Sequence, residues 1–85
     1  MPYTVIIEDK AQREFLRLSA PHDKAVRKAI DSLEKQPRQQ GVKKLVGTKD
    51  GYRIRVGLYR VLFTIDDHRQ IVTIYRIRHR KEAYR

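Results

Sequence analysis

Gly51–Asp66, GYRIRVGLYRVLFTID, reads as a β-hairpin, and the rest of the chain is arranged around it. Residues two apart on a strand point to the same face. Arg53 and Arg55 therefore share one face, while Ile54 and Val56 share the other. A tight turn near Gly57–Leu58 leads into a second strand that starts at Arg60, along which Val61, Phe63 and Ile65 alternate. Arg53, Arg55 and Arg60 then place three permanent positive charges on adjacent strands, which makes a rigid anion site.

Working outward, Tyr3–Ile7 (YTVII) is β-branched and aromatic and is expected to be a strand. Asp9 is placed to cap a helix. Ala11, Phe15 and Leu18 mark one face of that helix, which ends near Leu18. Ser19-Ala20-Pro21 breaks it, because proline fits only the first turn of the next element. A second helix runs from about Asp23 to Lys35, with Val26, Ala29, Ile30 and Leu33 as its apolar stripe. So short a connection predicts an antiparallel helical hairpin. Gln36–Gly41 is a loop, Val42–Val46 (VKKLV) a short strand, and Thr48–Gly51 a turn signalled by Asp-Gly. Asp67-His68-Arg69 turns the chain after the hairpin, and Asp66 and Asp67 read as turn residues. Gln70–Ile77 (QIVTIYRI) is apolar on both faces, as a central strand would be. Arg78–Arg85 ends the chain as a short helical turn or tail. The order β-α-α-β-β-β-β predicts an α+β fold, one domain over 1–85, with the helical hairpin on one face of a mostly antiparallel sheet.

Composition bounds the chemistry. A chain of 85 residues makes one domain that buries about 60–65% of its unfolded surface, so its stability is modest. With no cysteine, there are no disulfides, no thiol catalysis and no cysteine-based zinc sites. The longest apolar run near the start, Val5-Ile6-Ile7, is followed by Glu8 and Asp9, so neither a signal peptide nor a membrane span is expected. A reducing cytoplasm fits this usage. The net charge of +10 is lopsided. Residues 1–40 hold eight basic against six acidic residues, and residues 41–85 hold twelve against four. So positive a half favours a polyanion, nucleic acid or an acidic protein.

The helices cover one face of the sheet, and 85 residues cannot supply a second covering layer. Arg53, Arg55 and Arg60 should lie on the open face, with Lys43 or Lys44 and the tail cations Arg78, Arg80 and Lys81 nearby. Guanidiniums suit phosphate oxygens. Tyr52, Tyr59, Tyr75 and Tyr84 interleave with this charge, either to stack on bases or simply as strand formers. His22, His68 and His79 lack metal-ligand spacing, and neither a Gly-rich phosphate loop nor a nucleophile–base set is present. What remains is metal-free phosphodiester chemistry in RNA, with the neighbouring 2′-OH as nucleophile. Arginine is a poor base at neutral pH. The candidate proton carriers are therefore His79 and Tyr84.

Taken together in order, YTVIIEDKAQREFLRL, KKLVGTKDGYRIRVGLYRVLFTID and IYRIRHRKEAY resemble the RelE/ParE superfamily of bacterial toxins, and within it the RelE-like mRNA interferases. The resemblance spans nearly the whole chain. It implies a compact, microbial-RNase-like fold and a ribosome-dependent endoribonuclease that cuts mRNA in the ribosomal A site without a cofactor. Carried over, the catalytic set is Arg53, Arg55, Arg60, Arg80 and Tyr84, with Arg78 as the alternative to Arg80 and His79 matching the histidine of tails that read H-R-x-x-x-Y. The chain departs from members that carry lysines where Arg53 and Arg55 stand, which moves the base toward Tyr84 or His79. The resemblance also implies a cognate RelB-like antitoxin with an acidic amphipathic helix, and operator DNA bound only through that complex. The ParE branch, which poisons DNA gyrase without cutting RNA, is the alternative; a plain RNA-binding domain is a third.

Overall fold

The computed structural model describes residues 2–81. Its elements are β1 (Thr4–Ile7), α1 (Asp9–Leu16), α2 (His22–Leu33), β2 (Val42–Lys44), β3 (Gly51–Val56), β4 (Tyr59–Asp66) and β5 (Ile71–His79). The five strands form one sheet in the order β1-β5-β4-β3-β2. Only β1 and β5 pair in parallel; β2–β3, β3–β4 and β4–β5 are antiparallel. The α+β layering holds, and β5 is interior to the sheet, as its apolar composition requires.

Hydrophobic alternation builds the core. Val61, Phe63 and Ile65 of β4 turn toward the helices, beside Ile54 of β3 and Val72, Ile74 and Ile77 of β5. Ala11 of α1 and Val26, Ile30 and Leu33 of α2 meet them, so both helices cover the same face. Burying an apolar side chain of this size is worth about 1.5–3 kcal/mol. The turn between β3 and β4 places Gly57 at φ +59°, a left-handed conformation that favours glycine.

The boundaries differ from expectation in instructive ways. Asp9 is the first helical residue and not the cap; Glu8 holds the cap position without a side-chain hydrogen bond. The β2 strand stops at Lys44 because Thr48 organises the next turn. Its Oγ1 donates to Leu45 O (2.9 Å) and accepts the Gly51 N–H (3.2 Å). A Cβ on Gly51 would fall 2.7 Å from that oxygen. Finally, β5 runs on through His79, so Arg78 and His79 are strand residues and not tail.

At one end of the sheet, Arg38 and Asp67 form a bidentate pair, with both N···O distances at 2.8 Å. Tyr3 donates to the same carboxylate (2.7 Å), and the Arg38 guanidinium lies 5.2 Å from the Tyr52 ring centroid. Hydrogen bonds from Arg38 and then Tyr3 hold the Asp67 pKa down at about 2. Asp67 lies in the turn as expected, but Asp66 is the last residue of β4, paired with Ile71, and its Oδ1 accepts the Arg69 N–H at 3.0 Å.

Candidate nucleic-acid interface

The strand register decides which cations meet. Arg55 lies opposite Arg60, and Arg60 lies opposite Arg78, so a single row crosses β3, β4 and β5 on the face away from the helices. Strands lie about 4.8 Å apart, which spreads this row over about 10 Å. In the next row, Lys43 faces Arg53 and Arg53 faces Leu62. Arg55 is exposed, Arg53, Arg60 and Arg78 are half-buried, and the Nε atoms of Arg60 and Arg78 are buried. Like charges placed directly across strands are destabilising. The row concentrates positive charge on the face away from the helices.

Arg80 joins the row from outside the strand. Its backbone N–H donates to Leu58 O (2.6 Å), adding one rung between the end of β5 and the β3–β4 turn. Arg55, Gly57, Tyr59, Arg60 and Arg80 consequently line one cleft of about 190 Å³. Arg78 and Arg80 are therefore both in place, the first in the row and the second at the cleft. Register also separates the two lysines. Lys43 shares the arginine face, whereas Lys44 opposes Tyr52 on the helix side, its ammonium 5.7 Å from the Tyr52 ring. Lys81 is exposed just past Arg80.

His79 stands apart from the arginines. It is in register with Tyr59 on the helix side, and the two rings meet edge to face at 5.3 Å. Its Nδ1 accepts the Lys81 N–H at 3.2 Å. His22 approaches the other side of Tyr59, also at 5.3 Å. Strand parity puts His79 there: it lies one residue beyond Arg78, which faces the opposite way. Tyr52 and Tyr59 are likewise turned to the helix side, Tyr52 stacking on Phe63 at 6.0 Å. Tyr59 nonetheless also lines the cleft with Arg55, Arg60 and Arg80. Burial, then the Asp50 carboxylate, raises the Tyr75 pKa, so Tyr75 remains protonated at neutral pH. Tyr84 lies outside the described residues. Among the described residues no His, Asp and Glu cluster with the spacing of a metal site occurs, and no helix is long and apolar enough to cross a membrane.

Sequence reasoning missed two carboxylates that shape the site's surroundings. Asp67 pairs with Arg38 across the loop after α2. Glu14 reaches from α1 to β5, 3.0 Å from Arg76 Nε and 2.8 Å from the Ile77 backbone nitrogen. Both contacts join residues far apart in the chain, and no local pattern announces them.

Known proteins share this arrangement. A chain of the RelBE2 toxin–antitoxin complex from Mycobacterium tuberculosis is 32% identical, with a TM-score of 0.83 over 94% of this chain and 100% of that one. A chain of the archaeal RelE–RelB complex from Pyrococcus horikoshii is 30% identical, with a TM-score of 0.81 over 94% and 97%. A doubly substituted RelE toxin from E. coli in the free state, 24% identical, has the same fold at a TM-score of 0.80 over 98% and 87%. Among curated proteins, none matches. The profile described as ParE toxin of the type II toxin–antitoxin system parDE matches residues 5–84. With that match across nearly its whole length, and with relatives of the same fold, the chain belongs to the RelE/ParE superfamily and is a toxin of a type II toxin–antitoxin system.

Proposed function

We propose that this toxin is a ribosome-dependent endoribonuclease that cleaves mRNA in the ribosomal A site. The observation that carries the reading is the in-register row Arg55–Arg60–Arg78 with Arg80 at its cleft. Attack by the 2′-OH on the neighbouring phosphorus needs one proton removed, one supplied, and stabilisation of the charge on the phosphorane. Arg53, Arg55 and Arg60 hold the scissile phosphate through charge-assisted hydrogen bonds. Arg78 and Arg80 stabilise the phosphorane and the leaving group. Lys43 and Lys81 extend the contact along the RNA backbone, with Lys44 at its margin. Proton transfer falls to Tyr84; His79, facing Tyr59, is the weaker candidate. The partner is a RelB-like antitoxin carrying an acidic amphipathic helix. The RelB-bound complexes of the M. tuberculosis and P. horikoshii relatives support that pairing, as does the basic face. Operator DNA is engaged only through that complex, and the toxin acts in the cytoplasm.

Primer extension on translated mRNA after induction tests the reading. Codon-phased breaks are expected with the wild-type chain and should be lost with Arg60→Ala and with Tyr84→Phe. Undiminished cleavage by both variants overturns the assignment. One observation favours a second reading: the matching profile carries the ParE name. A gyrase poison inhibits supercoiling and leaves mRNA intact, whereas the nuclease does the reverse.

A further inference from the structure

The β5 strand contains a β-bulge, and its position determines whether Arg78 enters the arginine row. Ile74 pairs with Phe63, but Leu62 pairs with Arg76, so Tyr75 is the extra residue. Without that irregularity, Phe63↔Ile74 would be followed by Leu62↔Tyr75, Val61↔Arg76 and Arg60↔Ile77. An arginine would then enter the core and an isoleucine would stand beside Arg60. One slipped residue exchanges the faces of everything beyond it.

Something has to hold the bulge. The β1 strand ends at Ile7, opposite Ile74, so beyond that point β5 has no strand on that side. The last rung is Glu8 N–H to Ile74 O, at 2.9 Å. At Ile77 the vacant ladder position is taken by Glu14 of α1, whose Oε1 accepts the Ile77 N–H at 2.8 Å while Oε2 takes Arg76 Nε at 3.0 Å. The two residues gripped are the two just past the bulge, one through its backbone and one through its side chain. Both partners are largely shielded, Glu14 with 17% and Arg76 with 24% of the side chain exposed.

We propose that Glu14 is a positioning residue that latches this bulge and thereby selects the register placing Arg78 opposite Arg60. Glu14 acts through Arg76 and Ile77. The register claim stands by itself, and only its catalytic consequence rests on the nuclease reading.

Nuclear magnetic resonance of the full chain reads the register directly. Cross-strand proton contacts between Arg60 and Arg78 are expected in the wild-type chain and in Glu14→Gln, whose amide oxygen still accepts the Ile77 N–H. In Glu14→Ala they should weaken, with new Arg60–Ile77 contacts appearing and faster exchange at the Ile77 amide. Persistence of the wild-type contacts in Glu14→Ala overturns the proposal, whatever the activity. If the chain is a nuclease, Glu14→Ala should cleave about 100-fold more slowly, the scale of a 1 Å misplacement, and Glu14→Gln should recover most of that loss. Deleting Tyr75 supplies an independent arm. Without the extra residue, Arg78 faces Arg60 on an unbroken ladder, so Glu14→Ala in that background should leave the Arg60–Arg78 contacts unchanged. If Glu14→Ala disturbs them equally in both backgrounds, the latch is refuted. Should Tyr75 deletion prevent folding, the Gln and Ala variants decide the question without it.

Discussion

The two faces of the sheet follow opposite rules. On the helix side, Ile54, Val61, Phe63, Ile65, Val72, Ile74 and Ile77 are each no more than 7% exposed. On the other side, Arg55, Arg60 and Arg78 stand in a line, each opposite another cation. The same backbone therefore carries an apolar face and a cationic one. Arg38 sharpens the contrast, since it meets Asp67 in a bidentate pair. The fold matches opposite charges where loops are joined and gathers like charges along the face away from the helices. The apolar face sets the register, and the register in turn aligns the cations.

The largest test of this division attacks the apolar side. Phe63→Ala removes the largest fully buried side chain and should cost about 3–5 kcal/mol in chemical denaturation. That is a large share of a small domain's stability, and the arginine row should be lost with it. On the other face, Arg60→Ala should change the unfolding free energy by no more than about 1 kcal/mol, because it removes no side chain from the apolar core. A stability loss comparable to that of Phe63→Ala would erase the distinction between the faces. The smallest effect concerns the Arg38–Asp67 clamp. The carboxyl is held at about 2, below its ordinary 3.8, so the folded state binds this proton less readily than the unfolded chain does. The pairing stabilises above pH 3.8, and this contribution disappears as pH falls from 3.8 through about 2. Asp67→Asn should accordingly show a shallower acid-unfolding slope in that window. An unchanged slope would mean that the pair is loose in solution.

Much of the fold was legible because alternation and helical spacing are local. The hairpin from 51 to 66, both helices and the interior placement of the last strand follow from periods of 2 and 3.6. The shared face of Arg53, Arg55 and Arg60 follows from the same parity. The last strand misled where its parity changes. Val72 and Ile74 point inward on even positions and Ile77 on an odd one, which reads as an apolar strand on both faces when the cause is a bulge. His79 reads from sequence as part of a tail beside the basic face, and the side it takes was not legible for a related reason, since a strand extended by two residues converts a tail position into one with a defined side. Lys43 and Lys44 were indistinguishable until β2 had a register. The proton carrier named by the resemblance, Tyr84, lies outside the described residues, so the site is drawn from its arginines.

The parallel pairing of β1 with β5 reaches beyond the finished molecule. The first strand has no neighbour but the last, and Thr4 must wait for Ile71. During synthesis the position between β1 and β4 stays empty until β5 emerges, and pairing over such long sequence separations is slow. A translation product that terminates before β5 lacks Val72, Ile74 and Ile77 from its core and Arg78 from its row of guanidiniums. The first strand to leave the ribosome is thus the one that waits longest for its neighbour.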